Sequence, residues 1–446
     1  MLYITVLLAV IFWVVAILRI QRFRLLRLLT PARRQQRVGV EQWTKEQRNI
    51  ASFGYAGETT PQQRLRLRAR ENRRLRAAFG ITNSLTTESL HEHKAFLTTA
   101  TRLVNNKSRN WETLYGVAER FLQAELRTAT TASADKNGQR SLRLAESVRC
   151  MVLAVVLFDN FGIDPATIPR DALVTITEEI NTQWLRSKCA PDVVLRSGLL
   201  NATIDSLHLT SPSPPPFHPP PEHPTATEVL SLLMPQYETL WRVVLLTFAT
   251  AYHHQPGARQ DAEQRTAAVP SCLGGGGDRT REKEALKLAK EGLRLYPSNK
   301  HLYRSPALLA PRSLLPRLLP RFNNHRPPLA ADISALHRHP GIWGNDHNND
   351  SDDDAAHLFR PSRFDDDKLT PAQREAYIPF SVGKHKCPAG AASGFGERMV
   401  TLLVVALGRR LGPSVGRVQF GGRKEKEKGK GLPTGRDEME GWRFWF

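Results

Sequence analysis

Seventeen uncharged residues, Leu2 to Leu18, open the hydrophobic pattern of this chain. At about 1.5 Å per helical residue such a run reaches the lower limit for crossing a bilayer. A single membrane-spanning anchor is therefore expected over 1–18. Beyond it the apolar positions take a helical period, and a mainly helical body is expected from about Ala78. Helices are predicted over Phe96–Leu103, Asn110–Leu122, Leu142–Phe158 and Arg170–Ser187. A long apolar one covers Ala226–His253, and the last runs from Ala389 through Leu407 towards Gly412. The 142–158 segment is apolar nearly all round at its C-terminal end, which marks a helix buried on every side. Proline breaks the pattern twice. Ser211–Pro221 must be extended because consecutive prolines cannot continue a helix, and the prolines of 305–329 are at odds with strand pairing. Both read as insertions in one large core, or as translated non-coding sequence from a faulty gene model.

Charge sharpens the picture near the N-terminus. The formal net charge is +20, and Arg19 to Arg76 holds 16 Lys/Arg against 4 Asp/Glu. Cations that follow an apolar run place the body on the cytosolic side. Residues 19–77 then read as a basic juxtamembrane linker facing anionic lipid headgroups. The Arg64–Arg76 run can meet phosphates of any kind, but no base-reading module accompanies it, so nucleic acid is not expected as a partner. Four scattered cysteines exclude a disulfide framework and suggest a reducing compartment. The acidic run from Asn345 to Asp354 lacks the spacing of a calcium loop and reads as solvated. Residues 421–446 read as a charged, aromatic-ended tail.

The chemistry concentrates in Phe380-Ser-Val-Gly-Lys-His-Lys-Cys-Pro-Ala389. Cys387 precedes Pro388, a residue favoured at the first helical position. A thiolate at that helix start would have a lowered pKa and stand ready as a metal ligand. Gly383, Gly390 and Gly394 remove bulk, so a flat cofactor can approach the backbone. Taken alone, the loop also fits a buried cysteine in an ordinary turn. Upstream, Glu291 and Arg294 share a helix face three residues apart and can pair, and Phe359–Phe364 carries a second arginine, Arg363. A carboxylate held between two guanidinium groups forms a strong, directional network. Within the long apolar helix, Pro235-Gln-Tyr-Glu-Thr239 places an acid, Glu238, beside an alcohol, Thr239.

These residues, in this order, resemble the cytochrome P-450 family. Phe380, Gly383, His385, Cys387 and Ala389 fill its haem-binding loop pattern, and Glu291, Arg294 and Arg363 match its Glu-x-x-Arg helix and second-arginine loop. The resemblance implies a haem-thiolate fold, mainly α with a small β component, as one large domain over 78–420 behind the anchor. It implies haem b with Cys387 as the axial ligand of the iron and His385 meeting a propionate, and Glu238 and Thr239 assisting proton delivery to oxygen. The activity it implies is a monooxygenase placing one atom of O2 into a lipophilic small molecule, with electrons from an NADPH-dependent flavoprotein reductase. The location it implies is the endoplasmic-reticulum membrane, single-pass, with the catalytic domain cytosolic. The small residues usual before the acid–alcohol pair are replaced by Pro235 and Gln236. A peroxide-using or isomerising haem-thiolate protein, or a degenerate membrane relative without haem, thus stays open.

Overall fold

The computed structural model of the protein describes residues 39–446 apart from the short segments 57–58, 132–137, 195, 210–223, 267–272, 274–278, 305–327, 345–352, 366–367, 391–392 and 422–430. The apolar run 2–18, the bulk of both Pro-rich stretches and most of the acidic run lie outside the described residues. The single-pass membrane location requires correction: among the described residues no helix is long and apolar enough to cross a membrane.

The core is helical. Helices α1 (Val40–Ser52), α2 (Pro61–Glu71), α3 (Arg73–Phe79), α4 (Leu90–Val104), α5 (Trp111–Thr131), α6 (Leu144–Phe161), α7 (Arg170–Cys189), α8 (Gly198–Asp205), α9 (Ala226–Ala249), α10 (Pro256–Thr266), α11 (Arg279–Leu295) and α12 (Phe395–Leu411) account for more than half of the described residues. Helix α6 packs against α5, α7 and α9, and α12 packs against α5, α9 and α11. Residues Val148 to Leu157 of α6 are buried on every face, so the all-round apolar pattern finds its explanation in packing against three helices and the strand Trp442–Trp445. At roughly 1.5–3 kcal/mol for each large aliphatic or aromatic side chain fully buried, α6 and α9 carry much of the folding drive.

Local signals set the ends of the helices. Thr225 and Glu228 form a capping box that starts α9, and Thr60 with Gln63 does the same for α2, with Pro61 at its first position. Helix α9 tolerates Pro235 within it and closes in a π turn over Thr250–His254. Where α11 crosses α9, a Cβ on Gly292 would lie 2.2 Å from Thr247 Oγ1. The two backbones meet there because glycine leaves room.

Among the described residues, two small antiparallel sheets complete the fold. Strands β1 (Ser141–Arg143), β5 (Trp442–Trp445) and β4 (Arg417–Phe420) form one, in the order β1-β5-β4, with Ser141 opposite Trp445 and Phe420 opposite Trp442. β2 (His301–Arg304) and β3 (Leu329–Asp332) form the other and bracket 305–327. A second, smaller apolar cluster gathers under this hairpin, around Trp43, Ile50, Ile333, Trp343, Phe364 and Ile378.

Three expectations change here. Residues 40–79 are not a linker: α1, α2 and α3 bury Trp43, Leu65, Leu67, Leu75 and Phe79, with Leu65 and Ala69 one turn apart on the same helix face. Nor is 421–446 a peripheral tail, since Trp442 and Phe444 of the central strand β5 are fully buried. And Cys387 does not begin a helix. A single 3-10 turn over Pro388–Gly390 follows it, and α12 starts only at Phe395, after Gly394 at φ 64°.

Candidate functional site

Three backbone hydrogen bonds close the cysteine loop. The Cys387 N–H donates to Phe380 O at 2.9 Å, Lys386 N–H to Gly383 O at 3.1 Å, and Gly390 N–H to Cys387 O at 3.1 Å. Gly383 adopts φ +76°, a left-handed conformation that glycine takes without a Cβ penalty. The Phe380 ring lies so tightly over Gly390 and Gly396 that a Cβ on either would come within 2.7 Å of it. The loop is thus folded flat against the start of α12.

The Cys387 side chain is exposed, but into an interior cavity of about 860 Å³ rather than onto the outer surface. Apolar side chains make up much of the wall, among them Phe96, Leu240, Val243, Phe380, Met399 and Val400. Burial pushes the Cys387 thiol pKa up, while a bond from the Ala389 backbone and the charges of Arg68 and Lys386 oppose that rise. The expected lowering by a helix dipole is therefore not found, because no helix begins at this thiol.

Arg68 of α2, His93 of α4, Arg304 of β2 and His385 also line the cavity. Burial takes His385 down to about 3, aided by the charges of Arg68, His93, Arg304 and Arg64. Its Nδ1 is buried with no hydrogen-bond partner, as is Arg304 Nε. The His385 ring packs edge-on to Phe53 at 5.1 Å and lies 5.5 Å from the His93 ring. Arg304 stacks over the other partner of that aromatic group, 4.1 Å from the Phe53 centroid. Burial also lowers Arg68 and Arg304, each to about 10. Glu71 on the cavity wall acts on Arg304. Such a group of buried, mutually repelling bases is a ready receptor for anionic groups.

Glu291, Arg294 and Arg363 come together in full burial. Arg294 clasps Glu291 through two bonds of 2.7 Å, and Arg363 Nε approaches the same carboxylate at 3.5 Å. The Arg360 N–H also donates to Glu291 Oε1 at 2.9 Å. Arg294 reaches onward to the carbonyls of His337 and Ala356, both at 2.8 Å. His337 completes the link to the cysteine loop. Its Nε2 accepts from Ile378 N–H at 3.0 Å, so Nδ1 carries the proton and donates to Arg294 O at 3.2 Å. Burial and the neighbouring Arg294 charge hold His337 neutral, down to about 3.

The acid–alcohol pair of α9 differs in its partners. Glu238 and Thr239 both line the cavity, but Glu238 is held in a buried ion pair with Arg436. Arg436 also donates to Asn181 Oδ1 at 3.1 Å and stacks over Trp184 and Trp241 at 4.9 and 5.5 Å. The sequence reading missed Arg68, His93, Arg304, His337 and Arg436. Only the first had a usable signal, the Thr60-Pro-Gln-Gln63 cap that makes 61–71 a helix rather than a linker. The others depend on long-range packing.

No protein-family model matches this chain, and no curated protein sequence matches it. Solved structures do. The chain is similar to the haem domain of a cytochrome P-450DA mutant, with 16% identity, a TM-score of 0.48, and 79% of this chain and 76% of that one covered. It is similar to a 6-coordinated cytochrome P-450 from Thermus thermophilus, with 19% identity, a TM-score of 0.47 and coverages of 79% and 80%. CYP175A1 from the same organism gives 19% identity, a TM-score of 0.48 and coverages of 80% and 79%.

Proposed function

We propose that this protein is a haem-thiolate oxidoreductase that places one oxygen atom of O2 into a lipophilic small molecule, using electrons from an NADPH-dependent flavoprotein reductase. One observation carries the reading. The Cys387 thiol opens into a large, mostly apolar cavity beside Arg68, His385 and Arg304, with glycines flattening the loop that holds it.

The residues present fit haem b. Cys387 Sγ would be its iron ligand, and Arg68, Arg304 and His385 would receive its propionates, which explains the orphaned nitrogens of Arg304 and His385. When bound, thiolate-ligated haem supplies the activation of dioxygen. The chain's own residues do the rest. Arg68 and Lys386 favour the thiolate, and the Ala389 backbone holds it in place. The Phe380 ring, wedged over Gly390 and Gly396, shields that side from water. Thr239 presents a hydroxyl to the cavity as a proton donor, and the aliphatic wall selects an apolar substrate. Glu238, held by Arg436, positions the helix instead of relaying protons, and this pairing favours a second reading: turnover with hydrogen peroxide and no reductase.

The test is the reduced, carbon-monoxide-bound absorption spectrum of the purified protein beside Cys387→Ser. A red-shifted thiolate-type Soret band in the native chain, absent from the variant, is the expected result. A colourless native protein, or a band that survives the substitution, overturns the proposal. Peroxide-supported product formation without reductase selects the second reading.

A further inference from the structure

A second basic group lines the same cavity near Thr239. Arg74 of α3, Lys188 of α7, Arg242 of α9, Lys300 before β2, and Arg436 all face it. Thr239, Arg242, Lys300 and Thr434 also surround one small adjoining recess. Arg74 and Arg436 lie over the same indole, that of Trp184, at 4.5 and 4.9 Å. Two guanidinium groups brought to one ring repel each other, so the arrangement is short of negative charge.

The carboxylates in reach do not balance it. Glu238 is taken by Arg436. Asp437 acts on Lys188, and Glu438 acts on Lys300 while accepting the Gly435 N–H at 2.6 Å. Glu440 also acts on Arg436 but is engaged by Arg149 and Asn181. Five basic groups thus face four carboxylates, three of which are already engaged. Burial lowers Lys188, with Arg436, Arg74 and Arg242 adding to the effect, and lowers Lys300 with help from Arg242 and Arg338. Arg242 has further capacity. Its Nη2 makes one long bond of 3.5 Å to Thr434 O, and its Nε is buried with no partner. Lys300 Nζ donates to Thr434 Oγ1 and has two more donors to offer.

We infer that this basic face is a subsite for the carboxylate of a lipophilic carboxylic acid, with Arg242 and Lys300 as its direct partners. The edge of a guanidinium matches a carboxylate in shape and charge. The apolar wall beyond, formed by Leu240, Val243, Phe96 and Val400, receives the hydrocarbon body. Lys188 is exposed and marks the side from which an anion is drawn in. The substrate class follows: an amphipathic acid, held by its head near Thr239. This rests on the proposed function only in taking the cavity as the substrate chamber.

The experiment is titration calorimetry of the full chain as purified, with dodecanoate and dodecan-1-ol as probes of equal chain length. Dodecanoate binds about tenfold tighter or more than the alcohol, the scale of one charge-assisted hydrogen bond. The double substitution R242Q/K300Q removes that margin and leaves alcohol binding unchanged, while Lys300→Arg keeps it. Equal binding of the two probes by the native chain overturns the inference. So does an acid preference that survives R242Q/K300Q, or a loss of both probes together in that variant. The haem spectrum of the same sample reports separately on the proposed function. A colourless protein that prefers dodecanoate loses the haem reading and keeps this one.

Discussion

Two buried carboxylates, Glu291 and Glu238, each meet an arginine, and they are built on opposite principles. Glu291 takes its partner from one turn along the same helix, then gains Arg363 and the Arg360 N–H, so its oxygens are fully engaged. Glu238 receives one partner, Arg436, from 198 residues away in the chain. The first cluster is a hub: Arg294 ties it to three loop carbonyls, and His337 ties it to the segment that leads into Cys387. The second forms cavity wall. A local pair can carry a network because its own geometry is set before the rest of the fold arrives. A distant pair closes one gap between elements that other forces have already placed.

The comparison breaks first at the hub. Glu291→Gln leaves two arginines buried without their counter-charge, and stability falls by about 3–5 kcal/mol, read as a shifted urea midpoint. Adding Arg294→Gln restores little, because Arg363 and the Arg360 N–H still point at the altered site. At the wall the outcome differs. Arg436→Gln strands the Glu238 charge and costs about 3 kcal/mol, and E238Q/R436Q together recover most of it, since removing both members of a buried pair leaves neither charge stranded. A double-mutant cycle on each pair checks the contrast.

A further effect is one of pH. His337 has a folded pKa of about 3 against an ordinary value of 6.5. Between these values the unfolded chain binds a proton that the folded chain refuses, so stability rises with pH across the window. Acidification from pH 6.5 towards 3 therefore costs about 1.4 kcal/mol per unit for this residue. His385 shifts in the same direction. Denaturation midpoints at pH 5 and pH 7 measure the slope, and His337→Gln flattens it by one group's worth.

The hub was legible in the chain because helical spacing alone brings Glu291 and Arg294 together, and the loop Phe380–Ala389 was legible because Phe380, Gly383, His385 and Cys387 sit within ten residues. The helices over 144–161 and 226–249 were visible for the same reason, through an apolar pattern that needs no distant partner. What failed to show depends on distance. Arg304 and Arg68 reach the cavity only once the hairpin of β2 and β3 and helix α2 close over it. The run of arginines from Arg64 hid a helix, since charge drew the reading towards lipid while Leu65 and Ala69 shared one buried face and Leu67 was buried on the other side. Trp442 and Phe444 looked like a loose end because their sheet needs β1, about 300 residues earlier in the chain, as well as the neighbouring β4.

The link between Glu238 and Arg436 also bears on the tempo of folding. Closing so long a loop is entropically expensive, so contacts of this span tend to form after the transition state for folding has been crossed. An interaction absent from that transition state leaves the folding rate almost untouched and slows escape from the native state instead. The wall of the cavity near Thr239 is thus a latch on unfolding: it sets how long the chamber, once assembled, persists.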